Sequence, residues 1–394
     1  VCDTFAFIDA DGAWFAKNSD RPPNEVQVVH SWPARVPGGR LRSQYLDLGV
    51  DPGAHALFAA SQPTWLWGLE HGVNQHRIAI GNETVYTTAD RWSPAPALLG
   101  MDLVRLALER AGTPDEALDV LTQLLSEHGQ GGSGWEHANE PYFSSFLIVG
   151  ATRAWVVETS QRSWVARRTD AGGVAISNRL TLSNEWDASS TDVAPRSDWQ
   201  TRRDPKAPTG IADHRLDVTN ACVSSTRSPT LTAITATLRD HGPTRPRLPQ
   251  EVGADWSGVS VCMHVRAHQA TTSSLVTRLP RDPNQPIRHW IALGSPCVSV
   301  YVPAFADAIP GELSSPNTWH RFERLRERVE SDPTGIDALR EIRAVLDPVE
   351  HELWTAADTM HADLRHTGSR HTGDATWSTS AFALVAAALT RLGV

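Results

Sequence analysis

Cys2 carries the strongest chemical signal in this chain, by its place and by the residues downstream of it. It heads a strand-like run, Cys2-Asp3-Thr4-Phe5-Ala6-Phe7-Ile8. The turn pair Asp11-Gly12 comes next, then a return run Ala13-Trp14-Phe15-Ala16 and the polar cluster Lys17-Asn18-Ser19-Asp20-Arg21. Such a turn between two runs predicts a hairpin, which folds Lys17 and Asp20 back beside Cys2. A thiol whose own residue bears a free α-amine carries its base with it, because the amine can take the thiol proton. Lysine occurs only at Lys17 and Lys206 among 36 basic residues. Lys206 lies in a polar, proline-flanked stretch that reads as surface. At Lys17 the compact ammonium, rather than a planar guanidinium, is either a chemical requirement or chance.

The elements that must hold these residues follow from patterning. Residues 1–90 read as short strands and turns, among them Leu57-Phe58-Ala59-Ala60 and Ile78-Ala79-Ile80. Between them lies an aromatic loop segment, Trp65-Leu66-Trp67-Gly68. One of its tryptophans is expected to pack in the core; the other stays open between packing and a pocket wall. Leu99, Leu103 and Leu106 recur on one helix face. Thr113-Pro114-Asp115-Glu116 opens a second helix with a capping box, Leu118, Leu121 and Leu125 line it, and Gly129 ends it. The glycine-rich stretch from Gly129 to Gly134 comes after a helix instead of opening one, so it is a poor phosphate cradle.

Strands are expected at Phe146–Val149, Ala154–Val157, Trp164–Ala166, Val174–Ser177, Val259–Cys262, His289–Ala292 and Val298–Tyr301. Residues 187–250 are rich in Pro, Thr, Arg and Asp and read as a loop-rich insertion with short helices. From about Asn317 to residue 394 the chain is helical, with segments at Leu339–Leu346 and Val349–Leu364. Strands, helices, strands and helices in that order predict an α+β fold, two sheets sandwiched by helices within one domain spanning 1–394.

Composition narrows the function classes. The 394 residues are 40% hydrophobic and 21% charged, as in globular proteins, and no run reaches the length of a membrane span. A net charge of −9 argues against nucleic acid as a partner. Cys2, Cys222, Cys262 and Cys297 form no C-x-x-C pair, so neither a zinc ribbon nor a disulfide framework is expected. Cys262 and Cys297 read as packed in strands. His361, His366 and His371 recur every five residues, which does not align ligands on one helix face, so no metal is expected there. Residues 1–30 lack a basic region followed by an apolar core, and the cytoplasm is the expected location. The residues leave open whether the chain forms a homo-oligomer.

Taken together, several stretches resemble a known family. Cys2-Asp3-Thr4-Phe5, Lys17-Asn18-Ser19-Asp20-Arg21, Glu25-Val26-Gln27, Trp65-Leu66-Trp67-Gly68, Gly81-Asn82-Glu83, the run Leu98 to Arg105 and Glu127-His128-Gly129-Gln130-Gly131-Gly132 are similar to the secernins. The likeness is strong to about Asn178, then thins to patches such as Val261-Cys262-Met263-His264 and Gly294-Ser295-Pro296-Cys297. Secernins are similar to bacterial dipeptidases and, more distantly, to bile-salt and penicillin amidases. The resemblance implies a four-layer αββα N-terminal-nucleophile sandwich of two mainly antiparallel sheets. It also implies cleavage of a non-ring C–N amide bond in a small peptide-like or acyl-amide substrate.

The same resemblance implies roles. Cys2 matches the nucleophile and Asp20 an acid that holds its α-amine. Lys17 falls where the distant amidases carry an arginine and would favour the thiolate. Asn82 matches an oxyanion donor and Asn178 a second polar residue of the same site. Trp65, Trp67 and His264 are candidate substrate contacts, although a histidine satisfied in the core is the commoner case at His264. No metal or organic cofactor is required. Acyl transfer to an amine through the same thioester, or a scaffold without turnover, are the alternative readings. Val1 precedes Cys2, and while it is attached the Cys2 nitrogen is an amide and no base. Removal of Val1, or of a longer leader, by attack of the Cys2 thiol on the Val1 carbonyl is therefore expected.

Overall fold

The computed structural model describes residues 1–207, 209–224, 227–242, 259–265, 268–332, 336–367 and 375–394. The strands in chain order are β1 (Cys2–Asp9), β2 (Gly12–Arg21), β3 (Gln27–Trp32), β4 (Arg40–Arg42), β5 (Asp47–Val50), β6 (Leu57–Pro63), β7 (His71–Asn74), β8 (Ala79–Val85) and β9 (Phe143–Val149). They continue with β10 (Ala154–Ser160), β11 (Ser163–Thr169), β12 (Gly172–Ile176), β13 (Ala188–Ser189), β14 (His264–Val265), β15 (Gln269–Pro280), β16 (Arg288–Leu293) and β17 (Val302–Phe305). The helices are α1 (Gly100–Arg110), α2 (Pro114–His128), α3 (Asp213–Val223), α4 (Leu231–Leu238), α5 (Pro316–Ser331), α6 (Ile336–Thr367) and α7 (Ala375–Arg391).

Two antiparallel sheets lie face to face. The first runs β12-β1-β2-β15-β16-β17, with β14 added beside β15; the second runs β13-β11-β10-β9-β8-β7-β6-β3. Helices α3 and α4 cover the first sheet, and α1 and α2 cover the second. This is the αββα layering expected, and three apolar layers cement it. Between the sheets, Ala6, Phe15, Leu275 and Ile291 meet Ala79, Leu147, Val149 and Val156. Under α3 and α4, Phe5, Phe7 and Ala16 pack with Leu216, Ile234 and Leu238. Under α1 and α2, Ile80, Phe146 and Ile148 pack with Leu103, Leu106, Leu121 and Leu125. The C-terminal helices add Trp319, Phe322, Leu346 and Val385 to the middle layer. No helix among the described residues is long and apolar enough to cross a membrane.

Strand alternation decides what each polar residue at the front of β1 and β2 can reach, because successive side chains point to opposite faces. Ala6 and Ile8 belong to the layer between the sheets, whereas Phe5 and Phe7 belong to the layer under α3 and α4. By the same period Cys2 and Thr4 face the second sheet, and Asp3 faces α3. On β2, Phe15 lies between the sheets and Ala16 under the helices. Lys17 and Ser19 therefore face the second sheet, with Asn18 and Asp20 on the helix side.

Most expected elements are present, and the differences have physical reasons. Thr113 caps α2 by accepting from the Glu116 amide at 3.1 Å, while the Glu116 carboxylate accepts from Gly112 instead of closing the box on Thr113. Val259–Cys262 is irregular chain, not a strand; only His264–Val265 pairs with β15. Pro296–Val298 forms a 3-10 turn in place of the strand expected from Val298, and β17 begins at Val302. The central strand β15 is not among the expected strands, because Gln269-Ala270-Thr271-Thr272-Ser273-Ser274 is too polar to show an apolar alternation. The two expected helical segments around Pro348 are one helix, α6. Part of the 187–250 insertion forms α3 and α4, its end lies outside the described residues, and so do His371 and the His366 side chain.

Gly173 on β12 lets α3 lie close. A Cβ there would fall 2.0 Å from the Val223 carbonyl oxygen at the end of α3. Gly173→Ala is therefore expected to push α3 outward and to cost about 1–3 kcal/mol, as overpacking generally does. Urea-unfolding midpoints of the two proteins check this, and equal midpoints would contradict the close packing.

Candidate active site

The hairpin brings the expected residues together, although its turn is Ala10-Asp11 and not the expected Asp11-Gly12, since Gly12 already pairs with Asp9. Cys2 pairs with Ser19 and Thr4 with Lys17. Cys2 is 5% exposed, and its backbone nitrogen donates to Asn178 Oδ1 at 2.9 Å. The Asp20 amide points at Cys2 Sγ at 3.4 Å, and the Asp20 carbonyl accepts from the Val1 nitrogen at 3.2 Å. On the far side of the sulfur, Glu70 Oε2 lies 4.0 Å away. Arg21 anchors Glu70 at 3.0 Å and also binds Glu25 and, at 2.6 Å, the Gly134 carbonyl.

Arg215 organises the helix-facing side. It projects from α3 with no exposed surface and donates to the Cys2 carbonyl at 3.2 Å, to Asp3 Oδ2 at 2.6 Å and to Asn178 Oδ1 at 2.5 Å. Its guanidinium lies 3.5 Å from Asp20 Oδ2. Asp20 Oδ1 accepts from Thr271 at 2.7 Å. The expected roles of Asp20 and Asn178 are thus redistributed. The Cys2 N–H donates to Asn178, while the Asp20 side chain, turned to the helix side, is held by Thr271 and Arg215.

Burial governs the charges. It pushes the Cys2 thiol up to about 12, against the lowering influence of Lys17. The expectation that Lys17 makes Cys2 a thiolate therefore fails in this state, because desolvation of the sulfur outweighs the cation. Lys17 is itself engaged. Its Nζ donates to the Asn82 carbonyl at 2.7 Å and lies 3.4 Å from Glu83 Oε1. Thr4 donates a short hydrogen bond to the same Glu83 oxygen. Gly81 makes room for this side chain, since a Cβ there would meet Lys17 Cδ at 2.6 Å. Burial raises Glu83 to about 7 and Asp20 to about 6, opposed by Lys17 and Arg215 respectively. Burial and Lys17 together hold His71 well below its usual range, so its ring is neutral beside Ser19 Oγ at 3.2 Å.

Cys2 opens onto a cavity of about 430 Å³. Asp20, Arg21, Glu70, Asn82, Tyr142 and Val1 share its wall with Cys2, as do Tyr86, Arg91, Trp135 and His268. The Asn82 amide nitrogen faces Met101 Sδ at 3.6 Å, a weak acceptor that a stronger one could replace. Three candidates lie elsewhere. Trp65 packs with Leu66, Leu99 and Met101, and Trp67 stacks under Arg105 at 4.1 Å; neither lines this cavity. His264 points away, to Glu330 and to the sulfurs of Cys262 and Cys297. The aromatic wall is instead Tyr86, Trp135 and Tyr142, with Trp135 against His268 at 5.9 Å.

Sequence reasoning missed Arg215, Glu70 and Glu83. Glu83 lies inside a recognised motif, Gly81-Asn82-Glu83, and a buried Lys17 demands an anionic partner, so that signal is present. Arg215 lies among ordinary arginines in a poorly patterned stretch and gives no signal.

The layer order, with a cysteine heading an inner strand, is the αββα sandwich expected from the sequence. No protein-family model matches the chain. Among solved structures it is similar to penicillin V acylase from Agrobacterium tumefaciens, at 12% identity and a TM-score of 0.47 over 80% of this chain and 88% of that one. It is also similar to the N-acylethanolamine-hydrolyzing acid amidase ortholog of Caenorhabditis elegans, at 9% identity and a TM-score of 0.39, over 70% of this chain and 92% of that one. A mutant of conjugated bile acid hydrolase from Clostridium perfringens aligns at 12% identity and a TM-score of 0.41, over 73% of this chain and 88% of that one.

The Lys17–Glu83 pair yields a test with a defined sign. The folded Glu83 value of about 7 lies above its ordinary 4.5, so the folded state holds the extra proton between the two. The cost of the buried carboxylate is thus absent at low pH and complete above about 7. Lys17→Met removes the cation that opposes this cost. A loss of about 3–5 kcal/mol is expected near pH 8, shrinking towards pH 5. Adding Glu83→Gln should recover much of the loss at the higher pH. Denaturant titrations at both pH values check this, and a pH-independent deficit would contradict it.

Proposed function

We propose that this chain is a cysteine amidohydrolase that cleaves a non-ring C–N bond of a small peptide-like or acyl-amide substrate through a thioester on Cys2. This is the chemistry of the secernin and dipeptidase group whose motifs it resembles. One observation supports the reading above the others: a cavity wall carries the Cys2 sulfur while Asn178 and Arg215 fix the nitrogen of the same residue behind it.

In this reading Val1, with anything before it, is first released, and the Cys2 nitrogen becomes an amine. Arg215, 2.5 Å from the Asn178 oxygen that holds this nitrogen, disfavours a second positive charge there and keeps the amine ready to accept a proton. The thiol proton passes to the amine, and the sulfur attacks the substrate carbonyl carbon. The Asp20 amide supports the thiolate. The Asn82 amide nitrogen donates to the oxyanion. As the C–N bond breaks, the proton moves from the Cys2 amine to the departing nitrogen. Water, losing a proton to the same amine, then cleaves the thioester to a carboxylic acid and restores the thiol. A cavity of about 430 Å³ suits a ligand of a few residues, with Arg91 and its partner Glu140, 3.9 Å apart, both on its wall.

Rapid acid quench with a dipeptide amide panel, followed by mass spectrometry, tests the reading. An acyl adduct mapped to Cys2 and absent from Cys2→Ala is expected. Asn82→Ala should lower kcat/KM by about 10²–10³-fold, as loss of an oxyanion donor does. An adduct on Cys222, Cys262 or Cys297, or turnover by Cys2→Ala, would exclude Cys2 as the nucleophile.

A further inference from the structure

Away from the cavity, four side chains of metal-binding type converge. His241, Cys262, His264 and Cys297 each offer one ligand atom, and these four atoms lie within 4.8 Å of one another. All four residues are buried. They come from three separate places: the chain after α4, the stretch in which Cys262 leads into His264 at the start of β14, and the 3-10 turn before β17. This is why the cysteine spacing, which holds no C-x-x-C, points away from a metal.

We infer that His241, Cys262, His264 and Cys297 form a closed structural zinc site. The geometry of His264 is the first support. Its Nε2 lies 3.5 Å from Cys262 Sγ and 3.3 Å from Cys297 Sγ. Tetrahedral zinc with Zn–S near 2.3 Å and Zn–N near 2.0–2.1 Å separates a sulfur from a nitrogen by about 3.6 Å, so these gaps are close to those a shared ion would set. The second support is the outer partner. His264 Nδ1 meets Glu330 Oε1 at 2.9 Å, and Arg326 holds Glu330 at 2.7 Å. A carboxylate on the far ring nitrogen fixes the tautomer and aims Nε2 at the metal. The third is His241, whose ring centroid lies 5.3 Å from that of His264. Its buried Nε2 has no hydrogen-bond partner among the described residues, and an orphan of that kind calls for an ion or another partner.

The chemistry selects the metal class. Two thiolates and two imidazoles in a tetrahedral set suit zinc. Two thiolates also balance the ion's double charge, which eases burial of the whole group. Binding releases the two thiol protons to solvent. Four protein ligands leave no open position, so the site is structural and takes no part in the amide chemistry. Its role is to clip together chain segments that frame the active site. Met263, between two of the ligands, donates to Thr271 at 2.9 Å, and Thr271 donates to Asp20 at 2.7 Å.

The test uses the full chain purified without chelator. Elemental analysis is expected to find about one zinc per chain. Cys297→Ser and His241→Ala should each lose most of it, whereas Cys222→Ser, outside the cluster, should keep it. The wild-type chain, depleted and reloaded with Co²⁺ alone, should show the intense visible bands of a tetrahedral site with sulfur-to-cobalt charge transfer; this readout does not depend on the variants folding. Zinc-free wild-type protein without the cobalt bands would overturn the proposal. So would full zinc content in Cys297→Ser, or a Cys262–Cys297 disulfide found by non-reducing mass analysis.

Discussion

One buried guanidinium holds the front of the first strand in place. Arg215 reaches from α3 to the Cys2 carbonyl, the Asp3 carboxylate and the Asn178 amide oxygen, and its Nε bonds the Ile211 carbonyl at 2.8 Å. A planar fork with several donors is suited to this, since it can serve acceptors on three different segments at once. Without it, Asp3 and Asp20 would be buried anions lacking their cation, and Asn178 would lose the partner that steadies it against the Cys2 nitrogen. The position of that nitrogen is therefore a consequence of how α3 docks. That docking depends in turn on apolar packing beneath the helix and on the absence of a side chain at Gly173.

The same dryness that makes these contacts strong works against ionising the sulfur. Cys2, Asp20 and Glu83 are all shifted upward, with burial as the first cause in each. Cations stand on three sides: Lys17 between the sheets, Arg215 under the helix, and Arg21 on the cavity wall. Each is tied to carboxylates, and the pull of Lys17 on the thiol does not overcome its desolvation. A surface cation would be the usual means of activating a cysteine. In the proposed reaction the base is instead the nitrogen of the same residue, once Val1 is released.

Much of the site was legible in the sequence because it is local or belongs to compact motifs. The hairpin that turns at Ala10-Asp11, one residue before the expected pair, places Cys2 opposite Ser19 and brings Lys17 and Asp20 near it. Asn82 shares the cavity wall with Cys2, and Asn178 binds the Cys2 nitrogen. What could not be read depends on distant pairing. Arg215 sits in a stretch with no clear periodicity, 213 positions from the carbonyl it binds. Strand β15 is buried yet rich in Ser and Thr, since its polar side chains bond across to Ser61, Asp20 and Gln27, and a hydrophobic pattern cannot reveal that. The tryptophans at 65 and 67 look like pocket walls only because their loop is aromatic. Their rings are taken up by Met101 and Arg105, and Trp135, just past the glycine-rich stretch, faces the cavity.

In the proposed reaction the sulfur of Cys2 is dormant while its nitrogen is acylated and becomes reactive when that nitrogen is freed. The pH dependence of Cys2 alkylation by iodoacetamide, measured by peptide mass spectrometry on the Val1-headed and Cys2-headed chains, addresses it directly. The Val1-headed thiol is expected to stay unreactive through neutral pH, and the Cys2-headed thiol to be modified there rapidly. Equal rates for the two proteins across that range would contradict it.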